Sequence, residues 1–131
     1  MRGKVFLIGF EKEDVERLRE VLEEFDVREI PEYCRDWILQ EIVEKADKLR
    51  GDGNWHVRKF LLMHDVDNDA VKTIIKRVKA LGHGRVIFAT TTPASLAWRL
   101  GDLIKEWLEE DEHFRQMKRS RFYLDITGGK G

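Results

Sequence analysis

The chain has 131 residues, 42% hydrophobic and 37% charged, with 24 Lys and Arg against 25 Asp and Glu for a net charge of −1. That length suits one domain, expected over residues 1–131, with a core that needs no staples. Balanced charge argues against a broad nucleic-acid surface, one cysteine (Cys34) excludes an internal disulfide or a Cys-based zinc cage, and no stretch nears the roughly 20 apolar residues of a membrane span.

The opening MRGKVFLIGFEKED has an apolar run too short for a signal peptide, so a cytoplasmic protein is expected. The charged fraction exceeds the usual value of about 25%, and with little Gln it gives a thermophile-like composition.

Lys4 to Phe10 is a continuous apolar run, as in a strand covered on both faces. Gly9 interrupts it. Glu11 to Phe25 follows as a helix with Val15, Leu18, Leu22 and Phe25 inward. Val27 to Ile30 is a short second strand stopped by Pro31. A second helix is predicted from about Cys34 to Leu49. Gly51-Asp52-Gly53-Asn54 then makes an exposed, mobile turn.

Val57 to Met63 enters a third strand. Asp67 or Asn68 suits the N-cap of a third helix, about Asp69 to Leu81. Arg85 to Thr91 is a fourth strand. Pro93 opens a fourth helix reaching about His113, with Leu96, Leu100, Leu103, Ile104, Trp107 and Leu108 as its seam. Phe122, Leu124 and Ile126 alternate with polar residues and suggest a fifth strand over 121–127, ahead of a flexible Gly-rich end.

Strict strand–helix alternation predicts a three-layer α/β sandwich with a mainly parallel sheet of four or five strands. The expected order is flavodoxin-like, 2-1-3-4-5. There is also a hint of duplication. Val15, Leu18, Leu22 and Phe25 match Val71, Ile74, Val78 and Leu81 at one offset. Trp37-Ile38-Leu39 likewise resembles Trp98-Arg99-Leu100.

In such sheets ligands bind beyond the carboxyl ends of the strands. There His64, Asp65 and Asp67 could hold Mg²⁺ or Mn²⁺, or Asp65 could accept a phosphoryl group; alternatively the acids only cap a helix. Thr90, Thr91 and Thr92, with Ser95 and with Glu11 brought to the same edge, could bind an anion, or a Thr could serve as an N-cap. No cofactor other than such a cation is expected. Trp55, in a polar loop, and Phe122, Tyr123 and Leu124 of the last strand are the interface candidates. Trp37, Trp98 and Trp107 read as core. Arg115, Lys118, Arg119 and Arg121 read as cations near a helix C-terminus, and a nucleic-acid partner is not expected.

Two resemblances arise from these residues. Ala89, Thr92, Pro93 and Trp98 stand at the spacing of the uncharacterised prokaryotic domain-of-unknown-function family 3783, and Glu109, Glu110, Glu112 and His113 follow where that family has a Glu-rich helix end. The segment from Phe60 to Phe114 resembles that family, with Phe88 in place of its Lys and Ser95 in place of its Asn. The resemblance implies no activity. More loosely, FLLMHDVDNDAVKTIIKRVKALGHGRVIFATTT is similar to the middle of a two-component receiver domain. That would make Asp65 and Thr91 or Thr92 counterparts of the receiver's strand-end residues. Gly9-Phe10-Glu11 offers one carboxylate where a receiver has two. The functional expectation is a non-catalytic binding or assembly module that forms a homo-oligomer and could also take a protein partner; the alternative is Mg²⁺-dependent phosphoryl transfer or degenerate receiver-like signalling through Asp65.

Overall fold

A computed structural model describes the backbone of residues 3–126 and the side chains of residues 3–117. The elements are β1 (Lys4–Ile8), α1 (Lys12–Val21), β2 (Asp26–Glu29), a 3₁₀ turn (Glu32–Asp36) and α2 (Leu39–Glu44). A second 3₁₀ turn (Ala46–Lys48) and a linker lead to β3 (Lys59–His64). Then come α3 (Asn68–Ala80), β4 (Val86–Thr90), α4 (Pro93–Leu96) and α5 (Leu100–Ile126).

The four strands form one sheet in the order β2-β1-β3-β4. β1 pairs in parallel with β2, and β3 with β4. β1 and β3, however, are antiparallel. The sheet is therefore mixed, and the expected parallel, flavodoxin-like arrangement is corrected. A strand covered on both faces has the same unbroken apolar run whichever way its neighbour points, so the pattern carries no direction. The linker enters β3 beside the end of β1, where Ile8 pairs with Phe60. The predicted fifth strand is also corrected: its residues through Ile126 continue α5. Residues 127–131 of the predicted tail lie outside the described residues.

Helices cover both faces. Val5, Leu7, Leu61 and Met63 pack with Leu18 of α1 and with Ile74 and Val78 of α3. Phe6, Ile8, Phe60 and Leu62 pack on the other face with Leu39 and Ile42 of α2 and with Leu100, Leu103 and Trp107 of α5. Each fully buried Leu, Ile or Phe contributes about 1.5–3 kcal/mol relative to an exposed one.

The two halves of the chain are related by a pseudo-twofold axis through the Phe6–Leu62 pair. Leu18 corresponds to Ile74 at the spacing of Phe6 to Leu62. From β2 onward the spacing lengthens to that of Trp37 to Trp98, because both α3 and the turn that follows it are longer than α1 and its turn. The hydrogen bonds follow the relation. Ile30 N donates to Leu7 O at 3.1 Å, and Thr91 N to Met63 O at 3.0 Å. Val15 N donates to Glu11 O, and Val71 N to Asp67 O, both at 2.9 Å.

At the axis the halves meet again. Leu39 N donates to Trp98 O and Leu100 N to Trp37 O, each at 2.9 Å, around the antiparallel Ile38–Arg99 bridge. This exchange breaks both long helices predicted from the sequence. The second becomes a 3₁₀ turn, α2 and another turn, and the fourth becomes α4 and α5.

Candidate functional site

Because β1 and β3 are antiparallel, the carboxyl ends of β1 and β2 lie at one end of the sheet and those of β3 and β4 at the other. The strand ends do not share an edge as expected. Glu11, at the N-cap of α1, is on the opposite side from Thr90, Thr91 and Thr92.

The β3–β4 end forms an open cleft of about 580 Å³, lined by Met63, Asp65, Thr90, Thr91, Pro93 and Leu96 among others. His64, at the end of β3, faces Thr91 with Nδ1 2.9 Å from the hydroxyl oxygen. Burial lowers the His64 pKa from its ordinary value, opposed by Asp65 and aided by Lys4, so the ring favours the neutral form. Asp65 turns the chain out of β3 with φ 60°. Asp67 caps α3, its Oδ1 accepting from Ala70 N at 2.8 Å. A short polar side chain is needed for this; Glu11, its counterpart on α1, makes no side-chain cap.

Thr92 and Ser95 are engaged with each other. Ser95 N donates to Thr92 Oγ1 at 3.0 Å, and Thr92 N to Ser95 Oγ at 2.9 Å. This closes the entry to α4 and leaves Thr90 and Thr91 as the hydroxyls directed to the cleft. His64, Asp65 and Asp67 are neighbours on its wall. Among the described residues no three His, Cys, Asp or Glu side chains gather to hold a metal ion.

The β1–β2 end is filled by the chain itself. Gly9 N donates to Gly53 O at 2.7 Å, and Gly53 N to Glu29 Oε1 at 2.8 Å. Trp55 Nε1 donates to Ile30 O at 2.7 Å. The Trp55 ring packs on the core with the Arg35 guanidinium 5.1 Å from its centroid. Trp55 is thus a half-buried plug over this end of the sheet, and the Gly-rich turn is tied to both strand ends. Beside it, burial and then the cations Arg35 and Arg58 lower the His56 pKa.

A second concavity, missed in the sequence, runs along the outer edge of β4. It is a groove of about 910 Å³ between that edge and α5, and it includes Phe88, Trp98, Glu106, Glu110 and Phe114. Trp98 is 45% exposed, against its expected core position; Trp107 is buried. Phe114 and Met117 on α5 are 55% and 50% exposed. Asp111 anchors α5 here. It accepts from Arg58 Nη2 at 2.8 Å and from Arg85 Nε at 3.2 Å, and Arg85 Nη2 binds its other oxygen. Those guanidiniums, Arg85 first, hold its carboxyl below the ordinary pKa. The signal for this groove was in the sequence as Trp98, at the edge of its helical seam. Arg115 lies on α5; the side chains of Lys118, Arg119, Arg121, Phe122, Tyr123 and Leu124 lie outside the described residues.

No helix of the described residues is long and apolar enough to cross a membrane. No curated protein and no solved structure matches the chain. The receiver likeness around Asp65 does not extend to the fold, since a receiver needs β1 and β3 parallel to bring its acids together.

The family match begins at the start of β3 and ends at Phe114 on α5. It takes in α3, β4, the open cleft and the groove, and it leaves the plugged first half outside. Residues 59–114 match the family described as Domain of unknown function (DUF3783).

Proposed function

We propose that the protein is a binding and assembly module that pairs with a second copy of itself through α5. The observation that carries this reading is the exposed Phe114 and Met117, beside the groove along the free edge of β4. α5 has 27 residues, about 40 Å of helix, and Leu100, Leu103, Ile104, Trp107 and Leu108 of its first turns pack on the core.

Charge supports a second copy as the occupant. Acids precede Phe114 (Glu106, Glu109, Glu110, Glu112), and bases follow it (Arg115, Lys118, Arg119, Arg121). Glu110 is one turn before Phe114 and Lys118 one turn after, on the same helical stripe. An antiparallel pair centred on Phe114 therefore sets position 110 of each copy opposite position 118 of the other. The contact is isologous and closes on itself.

Sedimentation equilibrium of the full chain tests this. A dimer mass is expected, with Phe114→Glu reducing it to a monomer. Glu110→Lys and Lys118→Glu should each weaken the dimer, and the double exchange should restore it. A monomer at all concentrations, or single exchanges without effect, would overturn the reading.

A further inference from the structure

The pseudo-twofold relation makes the open cleft the counterpart of a site that is already occupied. Met63, Asp65, Thr90, Thr91, Thr92 and Leu96 correspond one by one to Leu7, Gly9, Glu29, Ile30, Pro31 and Arg35. In the first half, the segment Gly51–Trp55 lies on those residues. Gly53 bonds the Gly9 amide and the Glu29 side chain, Gly51 lies against the Pro31 ring, and Trp55 bonds the Ile30 carbonyl and stacks on Arg35. In the second half no segment of the described residues covers the cleft, which remains open.

We propose that this cleft binds an extended peptide carrying glycine two residues before tryptophan, supplied by a protein partner. The backbone N–H of Asp65 stands where that of Gly9 donates to Gly53 O. Thr90 takes the strand position of Glu29, whose carboxylate accepts from Gly53 N, and offers a shorter hydroxyl acceptor there, while the Thr91 carbonyl takes the position of the Ile30 carbonyl that accepts from the indole. Pro93 and Leu96 give the ring an apolar floor in place of Arg35.

The glycine requirement comes from the first half. A Cβ on Gly53 would lie 2.7 Å from Leu7 O and 3.1 Å from Ile30 O. The equivalent backbone at Met63 and Thr91 imposes the same close approach. The indole preference comes from the first half, where the Trp55 ring packs on the core while its N–H reaches the Ile30 carbonyl, so that one side chain supplies both an apolar face and a donor. This is recognition by main-chain hydrogen bonds plus one anchoring side chain, as in other extended-peptide sites.

The inference is separate from the α5 pairing and is tested on the Phe114→Glu chain as well as on the native one. The probe is the capped peptide Gly-Asp-Gly-Asn-Trp, titrated into isotope-labelled protein and followed by amide NMR shifts. Saturable shifts at Asp65, Thr90 and Thr91 are expected. They should vanish when the peptide's central Gly or its Trp is replaced by Ala. Thr90→Val, at an exposed position, should weaken binding about five-fold, as loss of one hydrogen bond does. Absence of saturation at millimolar peptide would overturn the proposal. So would equal binding of the Trp-free peptide, or shifts confined to Gly9 and Ile30, which would report displacement of the chain's own linker.

Discussion

Gly9 and Asp65 occupy the same place in the two halves of the molecule, each the first residue after its strand, and both have positive φ, 88° and 60°. The turn that leaves β1 and the turn that leaves β3 thus have one geometry built on two residue types. Glycine adopts it without steric cost, whereas a residue with a Cβ bears a penalty of about 1–2 kcal/mol, less for Asp, which tolerates this region better than most.

Asp65→Gly is therefore expected to stabilise the fold by about 0.5–1 kcal/mol, net of the greater chain entropy of glycine when unfolded. Gly9→Ala is expected to cost about 3 kcal/mol or more. Its Cβ would lie 2.0 Å from Arg58 O, where the strand-entry backbone has no room to shift. Urea denaturation of the two variants checks both signs. A destabilised Asp65→Gly would mean that the carboxylate does more than sit in a strained turn.

The linker offers a second test. Gly53→Ala places a Cβ against Leu7 O and Ile30 O, and the segment must lift away. A loss of about 2 kcal/mol is expected, with a red shift of Trp55 emission as the indole leaves the core. Trp55→Phe keeps most of the packing and removes the bond to Ile30 O, at a cost of about 1 kcal/mol. Thermal unfolding of the two variants separates lifted backbone from lost indole.

Asp111 gives a pH dependence. Its side chain is 12% exposed and joins Arg58 and Arg85, which immediately precede the adjacent strands β3 and β4. Because its folded pKa is depressed, its stabilisation is fully present above the ordinary carboxylate pKa of about 4 and is lost as pH falls through the lower folded value. Asp111→Asn should cost about 1–3 kcal/mol at neutral pH and flatten the acid limb of the stability curve. Denaturation midpoints across the acid range measure it. An unchanged acid limb in the variant would exclude Asp111 as a source of that slope.

The helical seams were legible because burial writes a period into residue type. Leu18 and Leu22, then Ile74 and Val78, fall on inner faces as their spacing predicts. The repeated Trp37-Ile38-Leu39 and Trp98-Arg99-Leu100 were legible as a likeness too. What they do was not: the mutual hydrogen bonds between Trp37 and Leu100 and between Trp98 and Leu39 join segments far apart in the chain, and no local pattern reports them. The site was legible in part. His64 and Thr91 do meet, whereas Glu11, placed with them by assuming a parallel sheet, lies at the other end.

By themselves, the residues of this chain determined that it is an α/β fold of alternating strands and helices. They determined the order of its first four strands, the family likeness of its second half, and the likeness between its two halves. These are properties of composition, periodicity and spacing. Only the tertiary structure decided that β3 runs against β1, that Trp55 closes one strand-end cleft, and that no segment of the described residues covers its counterpart at Asp65 and Thr91. Strand direction leaves no mark on a run buried on both faces. An indole, likewise, finds its carbonyl only once β2 has been laid beside β1.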